Sequence, residues 1–116
     1  MPAGIYDILA EQGATLRRVL TWRDANKDPI DLTGYSARMQ VRKTLDTDSV
    51  LLSLSTANGS ITLGGSTGTV TIEVSPLKMS QLAAGIFWYD IELVSPTGVV
   101  TRLLQGRFNV SREVTR

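Results

Sequence analysis

Gly64-Gly65-Ser66-Thr67-Gly68 spells G-x-S-x-G, the turn that lifts a nucleophilic serine to the head of a sheet in many hydrolases. That chemistry needs a strand-to-helix turn under the serine and a histidine elsewhere to take its proton. The chain contains no histidine, and the run is Gly/Ser/Thr loop composition between two strand-like segments, so it reads as a connection. Asp24-Ala25-Asn26-Lys27-Asp28 imitates the first half of a calcium loop, with oxygen ligands at alternate positions. The second half fails. Pro29 stands where the sharp turn needs glycine, and Tyr35 where a bidentate glutamate would close the shell, so the stretch reads as a hairpin loop of Asx-turns. Asp90 and Glu92 sit two apart on one strand face, about 7 Å by strand rise, which is inverting-glycosidase spacing, with Glu73 a third carboxylate. The chain has only seven aromatic residues, several needed for the core, so no aromatic-lined cleft can be argued and these acids read as a solvated face. Cysteine is absent as well, which removes thiolate ligands and disulfides. The reading is a non-enzyme, with no catalytic residue, no metal and no cofactor.

What remains is binding. Nine of the twelve basic residues are arginine, the side chain used for planar, multi-pronged contacts at interfaces. Arg38, Arg42 and Lys43 with Arg102 and Arg107 come nearest to a basic stripe. Eleven acidic residues balance them to a net charge of +1, which leaves no field for nucleic acid or an anionic membrane. Cross-strand pairs with Asp90 or Glu92 would use the same charges. Trp88 falls on the Asp90/Glu92 face, opposite Phe87 and Tyr89, and is either an interface anchor or a cover for a helical crossover. Trp22 alternates with Leu16 and Leu20 and reads as core. The candidate interface is therefore Arg38, Arg42, Trp88, Arg102 and Arg107.

These residues need strands to hold them. Alternation dominates residues 15–110: Tyr35, Ala37, Met39 and Val41 share one face, and Ser36, Arg38, Gln40 and Arg42 the other. Val70, Ile72 and Val74 alternate with Thr69, Thr71 and Glu73, and Phe87, Tyr89, Ile91 and Leu93 with Trp88, Asp90 and Glu92. Asn58-Gly59 predicts a tight hairpin between residues 51–54 and 61–63. Pro96-Thr97-Gly98 predicts another between the last two long strands, and Asp24 to Pro29 closes a third. In the final run, residues 99–110, Gly106 is the expected bulge or kink. Ser75 as N-cap, Pro76 at the first helical position and Gly85 as terminator predict one helical turn, with Met79 and Leu82 facing the core. Seven or eight short strands at this spacing predict an all-β, two-sheet antiparallel β-sandwich with one short helical crossover, a small closed barrel being the alternative.

The length of 116 residues suits one domain: 1–12 an N-terminal arm or first strand, and 13–116 the sandwich. Ile5-Tyr6-Asp7-Ile8-Leu9 reads either as an arm added to a sheet edge or a neighbouring subunit, or as an ordinary first strand. No run approaches the roughly 18 apolar residues of a membrane helix, and the N-terminus has no signal-peptide pattern, which predicts a soluble protein made in a cytoplasm.

Asp31-Leu32-Thr33-Gly34 leading into Tyr35-Ser36-Ala37-Arg38-Met39-Gln40-Val41-Arg42 is one half of a resemblance. Gly85-Ile86-Phe87-Trp88-Tyr89-Asp90-Ile91-Glu92-Leu93 and Arg102-Leu103-Leu104-Gln105-Gly106-Arg107-Phe108-Asn109-Val110 are the other. Together they resemble the immunoglobulin-like domains of tailed-phage and prophage virion proteins, above all the N-terminal domain of siphophage baseplate upper proteins. The likeness spans residues 13–116 and rests on turn residues and alternating faces, so it bears on fold more than role. It implies a structural protein of the tail, baseplate or head–tail region, made in the bacterial host cytoplasm and built into the virion. It implies homo-oligomers and other virion proteins as partners; that neither nucleic acid nor membrane is a partner follows from the charge balance. A capsid decoration or cement protein, or a carbohydrate- or receptor-binding module at the tail tip, are the alternatives. The chain departs from antibody-type domains in lacking the cysteine pair, and Phe87 stands where many such sandwiches place a corner tyrosine.

Overall fold

The computed structural model describes residues 4–47 and 49–114. The outermost residues of the arm and of the sandwich as read above, 1–3 and 115–116, lie outside the described residues. In chain order the elements are β1 (Gly4–Ile5), β2 (Ile8–Glu11), β3 (Leu16–Thr21), β4 (Ser36–Arg42), β5 (Val50–Ser55), β6 (Ile61–Leu63), β7 (Thr69–Val74), α1 (Pro76–Ser80), β8 (Gly85–Val94) and β9 (Val100–Ser111). They form two layers. The wide sheet runs β1-β9-β8-β4-β5, with β2 also paired to β9, and the narrow sheet runs β3-β7-β6. Apolar and polar residues alternate along β4, β7 and β8, and the strand pleat sends the two sets to opposite faces. The inward set from both sheets meets in one core, where Phe108, Ile8, Met39, Leu54, Ile72, Ile91 and Leu93 are all fully buried. Burying each such side chain contributes roughly 1.5–3 kcal/mol. No polar or charged residue lies buried among the described residues.

The crossover forms as its residues dictate. Ser75 Oγ accepts a hydrogen bond from Lys78 N at 3.3 Å, Pro76 fills the first turn where no N–H is needed, and Met79 and Leu82 drop into the core. α1 stops at Ser80, before Gly85, which opens β8. The Pro96-Thr97-Gly98 hairpin is present between β8 and β9: Gly98 N donates to Ser95 O at 3.0 Å, and Gly98 takes φ +91°.

Three expectations change. Asn58-Gly59 does not close a hairpin, because β5 belongs to the wide sheet and β6 to the narrow one; the loop carries the chain from one layer to the other. Turn chemistry reverses the chain locally but cannot select the sheet that the next strand joins, and here Leu52 and Leu54 of one sheet and Ile61 of the other are buried in the same core. The Asp24 loop closes only a small hairpin, a single bridge between Arg23 and Pro29, with Lys27 at φ +66°. Gly106 is not the bulge of β9. The register of β8 on β9 shifts so that Leu103 is the extra residue, and Gly106 is instead where another backbone comes close, since a Cβ there would drive into the Tyr6 carbonyl and the Asp7 carboxylate.

That backbone belongs to the N-terminal strands. β1 and β2 run parallel to β9, from Gly4↔Leu104 and Ile5↔Gln105 to Ile8↔Phe108 and Glu11↔Ser111. They are the parallel exception in an otherwise antiparallel sandwich. The Tyr89 hydroxyl donates to the Tyr6 carbonyl, Tyr6 N donates to Gln105 O at 3.0 Å, and Asp7 Oδ1 accepts from Arg107 N at 3.0 Å. Phe87 sits buried in the core without a hydroxyl to offer, and Tyr89, two residues on, makes the hydroxyl-to-backbone bond to the first strand.

Candidate functional site

Strand register decides which outward side chains become neighbours. On the outer face of the wide sheet, β4, β8 and β9 align in three rows: Arg42–Trp88–Arg107, Gln40–Asp90–Gln105 and Arg38–Glu92–Arg102. All five sequence-predicted residues, Arg38, Arg42, Trp88, Arg102 and Arg107, therefore share one face within three adjacent rows. One bulge lies beside them, at Leu51 in β5, and one among them, at Leu103 between Arg102 and Gln105 of β9. A bulge bends its strand and increases the local twist, which curves a sheet. The outer face here holds a groove of about 920 Å³ lined by all of these residues except Arg38.

The expected ion pairs are present. Arg38 Nε lies 2.8 Å from Glu92 Oε1, and Arg102 Nε 3.5 Å from Asp90 Oδ2. Both pairs are solvent-exposed and contribute about 0–1 kcal/mol each. Partial burial, then the neighbouring Glu92, holds the Asp90 carboxyl above the ordinary aspartate range, against the pull of Arg102, Arg42 and Arg38. Beneath the groove, burial above all pushes the Tyr89 phenol far up, with Tyr6 and Asp7 adding to it. A neutral phenol is the form that can donate to the Tyr6 carbonyl.

Arg42 and Arg107 differ from the other two. The Arg107 guanidinium lies over the Trp88 ring, 5.4 Å from its centroid, a cation–π contact. Arg42 donates to Thr47 O at 2.6 Å and to Gln40 Oε1 at 2.7 Å. Among the described residues, neither has a carboxylate within ion-pair distance. Trp88 is half-buried on the outer face of the wide sheet, with the Arg107 guanidinium over its ring.

The groove also has walls that sequence reasoning missed. Ile5, 81% exposed, closes it on the β1 side, and Leu45, 75% exposed, on the side of the β4–β5 loop. Ile5 could not be foreseen there because its position depends on a parallel pairing that no local signal announces. Leu45 lies in a polar loop and carries no periodicity.

The other constellations resolve into structure. Ser66 lies in a 3-10 turn over Gly65–Thr67 between β6 and β7, with Thr67 Oγ1 donating to Gly64 O at 2.8 Å; no helix follows. Asp24 Oδ1 accepts from Asn26 N and Asp28 N at 2.9 and 3.0 Å, an Asx-turn network. Glu73 pairs with Arg17 at 3.6 Å on the opposite sheet, away from Asp90 and Glu92. Two hydrogen bonds from Thr33 hold the exposed Asp31 carboxyl below its usual range at the entry to β4.

The β3-β7-β6 layer against β9-β8-β4-β5, with a first strand parallel to the last, defines an immunoglobulin-like β-sandwich with one helical crossover. It lacks the inter-sheet disulfide of antibody domains; the apolar core joins the layers, and Arg18 of the narrow sheet donates to Leu9 O of the wide one at 2.6 Å. No protein-family model matches the chain, and no curated protein does. Among solved structures, one described as structure-based site-directed photo-crosslinking analyses of multimeric cell-adhesive interactions of VGSC beta subunits is similar, with TM-score 0.50. The alignment covers 92% of this chain and 92% of that one at 15% identity, a likeness of fold.

Proposed function

We propose that this chain is a non-enzymatic structural and assembly protein of a tailed-phage or prophage virion, in the tail, baseplate or head–tail region. In this reading it is made in the bacterial host cytoplasm and binds neighbouring virion subunits, its own copies included, through the outer face of the wide sheet. One observation carries the interface: three cross-strand rows gather four arginines and a half-buried tryptophan on one face, where three of those arginines and the tryptophan line a groove with exposed apolar walls. Aromatic and arginine anchors ringed by polar groups are the composition of protein–protein hot spots. The virion assignment rests on the resemblance of residues 13–116 to phage immunoglobulin-like domains. The multimeric cell-adhesive interactions named for the solved neighbour agree with a contact role for this fold. A sugar-binding tail-tip module is disfavoured because Arg107 covers the Trp88 ring face that a sugar would need.

The test is incorporation. Particles produced with Trp88→Ala or Arg107→Glu in place of the parent chain should lose this protein on density-gradient purification, while each variant keeps the parent's melting temperature within a few degrees. Full incorporation of both variants would remove the face from the account. Absence of the parent chain from purified particles would remove the virion.

A further inference from the structure

Resting on that reading of the face, we propose that the groove takes an extended acidic segment of a partner protein, with a carboxylate seated between Arg42 and Arg107 beside Trp88. The charge pattern selects the ligand's sign. Asp90 and Glu92 are already engaged by Arg102 and Arg38, and the Asp7 carboxylate is taken by the Arg107 backbone N–H, whereas the guanidiniums of Arg42 and Arg107 flank Trp88 in one row and hold only neutral partners among the described residues. Two strand spacings set their Cα atoms roughly 10 Å apart, room for a carboxylate to be approached from both sides. Guanidinium forks favour such a planar anion, and their hydrogen bonds to it are charge-assisted.

The walls select the ligand's form. From Ile5 on β1 to the end of β4, near Leu45, is three strand spacings, about 14 Å. An extended chain places every second side chain on one face, about 7 Å apart, so residues i−2, i and i+2 also span about 14 Å. The matching segment is apolar–x–acid–x–apolar, its outer side chains against Ile5 and Leu45 and its central carboxylate over the Trp88 row. An acidic sugar would satisfy the arginines but leave both apolar walls exposed.

The probe is the capped peptide acetyl-Leu-Thr-Asp-Thr-Leu-amide, titrated into the full chain and followed by backbone amide shifts at Trp88, Arg107 and Ile5. Saturable shifts should appear, weaken at least fivefold when the peptide's Asp becomes Asn, and weaken similarly in Arg107→Gln. Arg107→Lys should recover part of the loss. Equal binding of the Asn peptide, no binding at all, or equal response to glucuronate would each overturn the acidic-segment proposal, the last in favour of a sugar acid. Self-association that vanishes in Trp88→Ala and blocks the peptide would assign the groove to a second copy and overturn it too. The two readings separate cleanly: incorporation lost in Trp88→Ala with no peptide binding leaves the face and removes the ligand, and retained incorporation removes the face itself.

Discussion

Replacing Ile8 with alanine asks whether the N-terminal strand belongs to the core or only lies on it. Ile8 is 1% exposed and packs with Phe108 and its neighbours from the parallel strand β2. The substitution removes three carbons, each worth about 0.8 kcal/mol in transfer, or about 2.4 kcal/mol together. The surroundings collapse only partly, and the residual cavity brings the expected loss to about 3 kcal/mol, inside the 2–5 kcal/mol range for such truncations. Unfolding entropy of roughly 2.1 cal/mol/K per residue over 116 residues converts that to a fall of about 12 °C in Tm. In urea the midpoint should drop by about 2 M at unchanged slope, taking a slope near 1.5 kcal/mol/M. The control is Ile5→Ala, three residues earlier and 81% exposed, where the change should stay within about 0.5 kcal/mol. Circular dichroism through the urea transition measures both. If Ile8→Ala costs less than about 1 kcal/mol, or no more than Ile5→Ala, the strand is not part of the cooperative core.

Gly106→Ala should cost roughly 1–3 kcal/mol and speed hydrogen exchange at Tyr6 N, because its methyl meets the Tyr6 carbonyl; unchanged exchange there would contradict the close approach. Asp90 binds its proton more tightly folded than unfolded, so its contribution is most favourable below the ordinary aspartate value of about 3.9 and is lost as pH rises through the raised folded-state value. Asp90→Asn should therefore gain on the parent in Tm as pH climbs from about 3 to about 7, and a carboxyl NMR midpoint below 3.9 would refute the assignment. Asn58→Ala removes side-chain bonds to Ser55 N, Ser60 N and Ser53 O in the loop that changes sheets. It should lower stability by about 1–2 kcal/mol in urea titration, and a neutral result would show the loop is set by backbone alone.

The inward and outward faces of β4, β7 and β8 were legible because a half-buried strand writes its pleat into residue type. The α1 crossover and the β8–β9 hairpin were legible for a similar reason: Ser75-Pro76 and Pro96-Thr97-Gly98 act within a few residues of themselves. Asn58-Gly59 misled because a reversal of direction leaves the choice of sheet to distant partners. Gly106 misled because a glycine permits both a bulge and a close approach, and only the path of Tyr6 distinguishes them. The five candidate residues were legible as one polar face, yet the stacking of Arg107 on Trp88 depends on a cross-strand register that a one-residue slip at Leu103 helps to set. Ile5 and Leu45, the groove's walls, depend on parallel pairing and a loop path, neither of which leaves a pattern in the chain.

The same-direction run of β2 beside β9 gives the molecule a stiff axis. Tension entering at Gly4 and leaving at Ser111 would act along the rungs from Ile8↔Phe108 to Glu11↔Ser111, which then resist in shear and yield together. Tension across the free ends of the β8–β9 pair would instead open its bonds in turn, like a zipper. Optical-tweezer pulling from those two attachment geometries should give a high rupture force in the first and a low one in the second.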